Sequence, residues 1–243
     1  MGTRTSVHVG CLLQEYSQIS QRDTDMPGNY QIVGSSGLSM LANRLSWFYD
    51  FTGPSMTVDT ACSGSLLSVH LAYQDLLAGS VDMALACGSN LSLVPDSTAL
   101  LSALNMMSPD STCYSFDERA NGYSRSEGFG VILLKRMSQA ISDGDTIRAV
   151  IRTTGCNQDG HTPGITQPSQ AAQERLSRET YNRAGLDMNI TRYFEAHGTG
   201  TKLGDPTEAG AISSVFGART AEDPLYVGAL KSNIGKTTYA KDA

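Results

Sequence analysis

Apolar residues change their spacing several times along the chain, and each change predicts an element. Positions 7–13 read as a strand, in which His8 alternates with Val7 and Val9. Positions 14–35 are polar and carry Pro27, Gly28 and Asn29, so a loop is expected there. Met40, Leu41, Leu45 and Phe48 recur at helical spacing over 39–48. A short strand over 56–60 leads to Cys62. A helix is predicted over 66–77, its face made by Leu66, Val69, Leu71, Tyr73 and Leu77, and Gly79 stops it. Positions 81–87 form a continuous apolar run, the pattern of a strand buried on both faces.

The pattern continues with a helix over 97–104, a strand over 130–134, a short helix over 138–142 and a strand over 147–154. A longer helix follows over 169–184, closed by Gly185. A strand over 193–196 ends at His197. Asp205-Pro206 opens a helix over 206–216, and a strand over 225–230 ends at Lys231. Strands alternating with helices predict an α/β layered architecture. Strand–Cys–helix in the first half and strand–His–helix in the second suggest two related βαβ-rich halves. The softest boundary is Asp143-Gly144-Asp145, which gives halves of 1–142 and 143–243.

Composition narrows the function classes. The 243 residues are 40% hydrophobic and 17% charged, enough for a sizeable core. The net charge of -6, with no basic patch interleaved with aromatics, argues against nucleic acid. No apolar run approaches bilayer length, so no membrane association is expected. Five cysteines, with no CxxC pair, suit a reducing, cytoplasmic setting and give no metal site. The myristoylation-like start at Met1-Gly2 and the glycosylation-like Asn90-Leu91-Ser92 and Asn189-Ile190-Thr191 are read as chance matches.

Chemistry concentrates at three places. In Val58-Asp59-Thr60-Ala61-Cys62-Ser63-Gly64 a thiol stands between a strand and the start of a helix. The macrodipole there favours a thiolate, and small neighbours admit a bulky acyl group, so Cys62 is the candidate nucleophile. In Glu195-Ala196-His197-Gly198-Thr199-Gly200-Thr201 a histidine follows a strand and opens a glycine–threonine turn. That turn lacks the spacing of a dinucleotide fingerprint. The third place is Lys231-Ser232-Asn233-Ile234-Gly235. Cys11, Cys87 and Cys156 read as buried core thiols and Cys113 as structural. His70 reads as packing and His8 as lacking a partner, while His161 is placed near a site mouth. A papain-like hydrolase is disfavoured, since that nucleophile's local signature is missing.

Together these segments resemble the β-ketoacyl synthase (ketosynthase) domain of polyketide and fatty acid synthases, of the thiolase-like superfamily. Asn43-Arg44-Leu45-Ser46-Trp47-Phe48, Tyr114-Ser115-Phe116-Asp117, Arg119-Ala120-Asn121-Gly122-Tyr123, Asn157-Gln158-Asp159-Gly160 and Gly204-Asp205-Pro206 extend the resemblance over positions 7–235. Its flavour is that of a fungal iterative type I polyketide synthase. The resemblance implies an α-β-α-β-α layered fold. It implies that Cys62 takes an acyl group from a carrier-protein thioester, with its own N–H in the oxyanion hole. A malonyl-type unit then loses carbon dioxide, and its enolate attacks the acyl-Cys62 thioester. His197 would donate to the enolate oxygen, and Lys231 would tune the field around it. Ser63, Thr199, Thr201 and Asn233 are the substrate-binding candidates.

The resemblance also implies no bound cofactor. The phosphopantetheine arm arrives on an acyl carrier protein, the domain pairs as a homodimer, and an acyltransferase domain flanks it. Where the family motif ends in a second catalytic histidine, this chain has Lys236, which can donate a hydrogen bond but offers no neutral imidazole. The stretch after Gly235 also departs from the expected glycine- and alanine-rich helix. The expectation is therefore a central fragment, incomplete at both ends. A non-catalytic dimerisation or carrier-docking module is the alternative that Lys236 would favour.

Overall fold

The computed structural model of the chain describes residues 2–12, 15–22, 37–217 and 219–237. In chain order its strands are β1 (Thr5–Gly10), β2 (Ser55–Val58), β3 (Met83–Asn90), β4 (Arg125–Ser126), β5 (Gly128–Lys135), β6 (Tyr193–Glu195), β7 (Tyr226–Gly228) and β8 (Lys236–Thr237). The helices are α1 (Glu15–Arg22), α2 (Ser39–Tyr49), α3 (Gly64–Leu77), α4 (Pro95–Ala103), α5 (Met137–Ser142), α6 (Gln170–Ala184), α7 (Gly204–Phe216) and α8 (Lys231–Ile234). A 3-10 turn covers Met188–Ile190. The chain forms two compact units. One holds the residues up to Ser97 with Glu127–Ile151, the other Thr98–Ser126 with Arg152–Thr237.

The first unit is built on a four-stranded sheet in the order β2-β1-β3-β5. β1 runs parallel to β2 and β3, and β5 is antiparallel to β3. All six residues of β1 are buried, which is why its sequence shows no clean alternation. α3 lies against β1 and β3. It does so through Gly64, Ser68, Ala72 and Leu76, a four-residue ridge of mostly small side chains. The predicted apolar face is only half buried, and Leu77 is exposed. Small residues won this face because they let the helix approach the sheet closely. A β-carbon on Gly10 would fall inside the backbone of Gly64 and Ser65.

Four expectations are corrected here. Positions 15–22 of the expected loop form α1, while 14 and 23–35 lie outside the described residues. Tertiary contacts overrode the polar sequence: buried Glu15 accepts hydrogen bonds from the N–H groups of Leu93 and Val94 and from the Ser97 hydroxyl. No strand forms over 147–154, where Ile147, Val150 and Ile151 are exposed and find no ladder partner among the described residues. Cys156, just beyond, is exposed rather than core, while Cys11, Cys87 and Cys113 are buried. His8, expected to stand alone, is 1% exposed with its Nε2 2.8 Å from Asp75 Oδ2 on α3.

In the second unit β6 and β7 pair in parallel, and Ala196 extends the ladder by donating to the Gly228 carbonyl. Ala196, Ile212, Val215 and Phe216 form its core, with Tyr181 and Phe194 meeting Phe216 edge to face. α6 starts where the Ser169 hydroxyl accepts from the Ala172 N–H and ends at Gly185 with φ 61°. β4 and β8 make a second parallel pair. No helix among the described residues is long and apolar enough to cross a membrane.

Candidate active site

Cys62 belongs to the first unit and stands two residues before α3. The chain reverses at Ala61, whose φ of 53° is left-handed and strained for a residue with a side chain. Asp59 holds that turn by accepting the Ala61 N–H at 2.9 Å. The Ser63 hydroxyl donates to the Thr60 carbonyl at 2.9 Å and meets the Thr60 hydroxyl at the same distance. Ser63 therefore stabilises its own turn. Cys62 is left partly exposed, while burial pushes the Cys87 thiol up.

The histidine and lysine motifs share the second unit. His197 follows β6, and Lys231 lies three residues beyond β7, the strand beside it. The two meet closely: a β-carbon on Gly198 would lie 2.5 Å from the Ala229 side chain. The His197 turn has little side-chain bulk to hold its shape, with Gly198 at φ 42° and Gly200 at φ 74°. Carboxylates on α7 supply the constraint. Glu208 accepts the His197 N–H at 2.7 Å and the Gly198 N–H at 2.9 Å. Buried Asp205 accepts from Gly200 at 3.1 Å and from Thr201 at 3.2 Å. Such charge-assisted bonds are the strong ones, and the histidine they position is partly exposed. The Thr199 and Thr201 hydroxyls lie 3.3 Å apart within the same turn, with Thr199 buried.

Sequence reasoning missed Asp205 and Glu208 as site residues. Their spacing carried a signal: three apart on a helix, they share one face. It also missed Ser115 and Phe116. The Ser115 hydroxyl donates to the Gly198 carbonyl at 2.5 Å, and the Phe116 N–H donates to Asp205 at 2.8 Å.

Lys231 is 4% exposed and opens the single turn of α8, against the usual habit of lysine. Asn233 is exposed and lines a cleft of about 460 Å³ with Tyr193, Glu195, Ala229, Leu230 and Ser232. Glu195 accepts the Leu230 N–H at 2.7 Å and the Tyr193 hydroxyl. Lys236 is 5% exposed on β8, its Nζ 4.0 Å from the centre of the Tyr123 ring, a cation–π arrangement. Among the described residues no cluster of His, Cys, Asp or Glu is placed to hold a metal ion.

The chain matches the family models for the β-ketoacyl synthase N-terminal domain over residues 1–140 and the β-ketoacyl synthase C-terminal domain over residues 148–242. Reducing polyketide synthase pksF of Alternaria solani is 77% identical over 235 residues, covering 97% of this chain and 10% of that protein. Highly reducing polyketide synthase 40 of Fusarium mangiferae is 56% identical over 215 residues, covering 88% and 9%. The chain thus spans about a tenth of the length of these curated relatives. Among solved structures, the ketosynthase from module 6 of the bacillaene synthase of Bacillus subtilis 168 superposes with a TM-score of 0.88 at 39% identity, covering 97% of this chain and 40% of that one. The oxazolomycin ketosynthase domain OzmH KS7 of Streptomyces albus JA3453 gives 0.86 at 38%, covering 97% and 40%.

Proposed function

The chain belongs to the β-ketoacyl synthase family, with its thiolase-like fold, and from that premise we propose that it is the ketosynthase segment of a reducing polyketide synthase. Its reaction is a decarboxylative Claisen condensation. The Cys62 thiolate attacks an acyl thioester and expels the carrier thiol, so the acyl group moves to sulfur. A malonyl-type thioester then loses carbon dioxide, and the resulting enolate attacks the acyl-Cys62 carbonyl. Cys62 leaves as thiolate, and the lengthened β-ketoacyl chain remains on the carrier.

His197 donates a hydrogen bond to the developing enolate oxygen. Lys231 sets the field at the neighbouring strand. Lys236 supplies a second donor from its ammonium, which lies against the Tyr123 ring. We assign binding of the arm to Ser63, Thr199, Thr201 and Asn233. The observation that carries this reading is the pinned His197 turn, in which the His197, Gly198 and Gly200 N–H groups and the Gly198 carbonyl are all held by side chains while His197 stays partly exposed.

The partners follow from the chemistry. An acyl carrier protein brings both thioesters on its phosphopantetheine arm, and no cofactor of the chain's own is required. A homodimer, a flanking acyltransferase domain and a cytoplasmic location complete the proposal. The test supplies an acyl and a malonyl pantetheine thioester and measures the β-ketoacyl product. Condensation that is lost in Cys62→Ala and His197→Ala supports the reading. Product formation that survives either change overturns it.

A further inference from the structure

Phe116 holds a conformation that its own side chain opposes. Its φ is 58°, in the left-handed region, where a bulky aromatic residue is an outlier. Phe116 is 40% exposed, so burial offsets only part of the strain. Something else must hold it. The Phe116 N–H donates to Asp205 Oδ2 at 2.8 Å, and Asp205 is the carboxylate that also holds Gly200 and Thr201. The ring edge reaches the His197 turn: its Cε2 would stand 3.2 Å from a β-carbon on Gly198. Next to it, the Ser115 hydroxyl donates to the Gly198 carbonyl at 2.5 Å.

Two sides of one turn are therefore gripped. α7 holds the N–H groups of His197 and Gly198 through Glu208. The 115–116 turn holds the Gly198 carbonyl and closes the space where a side chain would be. Strain retained at an exposed aromatic residue, in contact with the backbone beside a candidate reactive group, marks a constraint with a purpose. We propose that Ser115 and Phe116 are positioning residues that set the register of His197. The consequence for condensation rests on the ketosynthase reading, but the positioning itself does not.

The experiment measures carbethoxylation of His197 by diethyl pyrocarbonate on the full chain, read by peptide mass spectrometry. His8, 1% exposed, reports global unfolding in the same sample. Phe116→Gly accepts φ 58° without strain and removes the ring. It should speed His197 modification about fivefold, with His8 still protected. Ser115→Ala uncovers nothing, yet it should raise the same rate, and Phe116→Tyr should match the parent chain. A His197 rate unchanged in Phe116→Gly overturns the proposal. So does a rise confined to Phe116→Gly, which means unmasking, and so does a rise shared with His8, which means loss of fold. Failure of the ketosynthase reading appears separately, as absence of condensation in the parent chain.

Discussion

Glu208 shows how much a single side chain contributes at this site. Its two oxygens satisfy two successive N–H groups, and Glu208→Ala leaves both without their acceptor. We expect a loss of about 2 kcal/mol in chemical denaturation, the usual scale for hydrogen bonds to a charged group. Condensation should fall about 100-fold, since misplacing a reacting group by about an ångström costs that much. A second residue-scale prediction concerns pH. Hydrogen bonds from Arg119 hold the partly exposed Asp117 carboxyl down to about 2. A depressed carboxyl contributes stability that is complete above its ordinary pKa of about 4 and is lost as pH falls through the folded value. Arg119→Ala should move that loss upward toward pH 4. Carboxyl carbon NMR titration of Asp117 reads it directly, and an unchanged midpoint would contradict the pairing. Thiol labelling of the folded chain should mark Cys62 and exposed Cys156 and spare Cys11, Cys87 and Cys113.

At the scale of elements, α3 was only half legible in its sequence. Its existence and its end near Gly79 followed from periodicity, but its packing face did not, because small residues rather than large ones meet the sheet. The same logic hid Gly10. No sequence pattern distinguishes a glycine needed for close approach from one in a turn, whereas the structure places it against Gly64. Gly10→Ala should cost about 3 kcal/mol in denaturant unfolding, the upper range for forcing a methyl into packed backbone. α1 was read as loop because its stabilising contacts come from the distant residues Leu93 to Ser97. The expected strand over 147–154 erred the other way: β-branched residues predict a strand only where a neighbour completes the ladder. The three candidate reactive segments were readable because each needs a particular residue at the C-terminal side of a strand. Their supports, Asp205, Glu208, Ser115 and Phe116, were not, because they act through backbone bonds across long sequence separations.

For the molecule as a whole, the sheet edge matters most. Phe129, Val131 and Leu133 share one face of β5 and are 68%, 62% and 61% exposed, while β5 ends the sheet order. An apolar stripe on a strand that is an edge among the described residues promotes association. Light scattering of the chain should therefore show self-association, reduced in a Val131→Lys, Leu133→Lys double variant whose melting temperature is little changed. The net charge of -6 opposes aggregation only weakly against such a stripe.

The nucleophile is the claim on which the rest depends. Intact-protein mass spectrometry after exposure to an acyl pantetheine thioester tests it directly. The account predicts one acyl adduct, mapped to Cys62 and absent from Cys62→Ala. An adduct on exposed Cys156 that persists in Cys62→Ala, or no adduct on a folded sample, would contradict it.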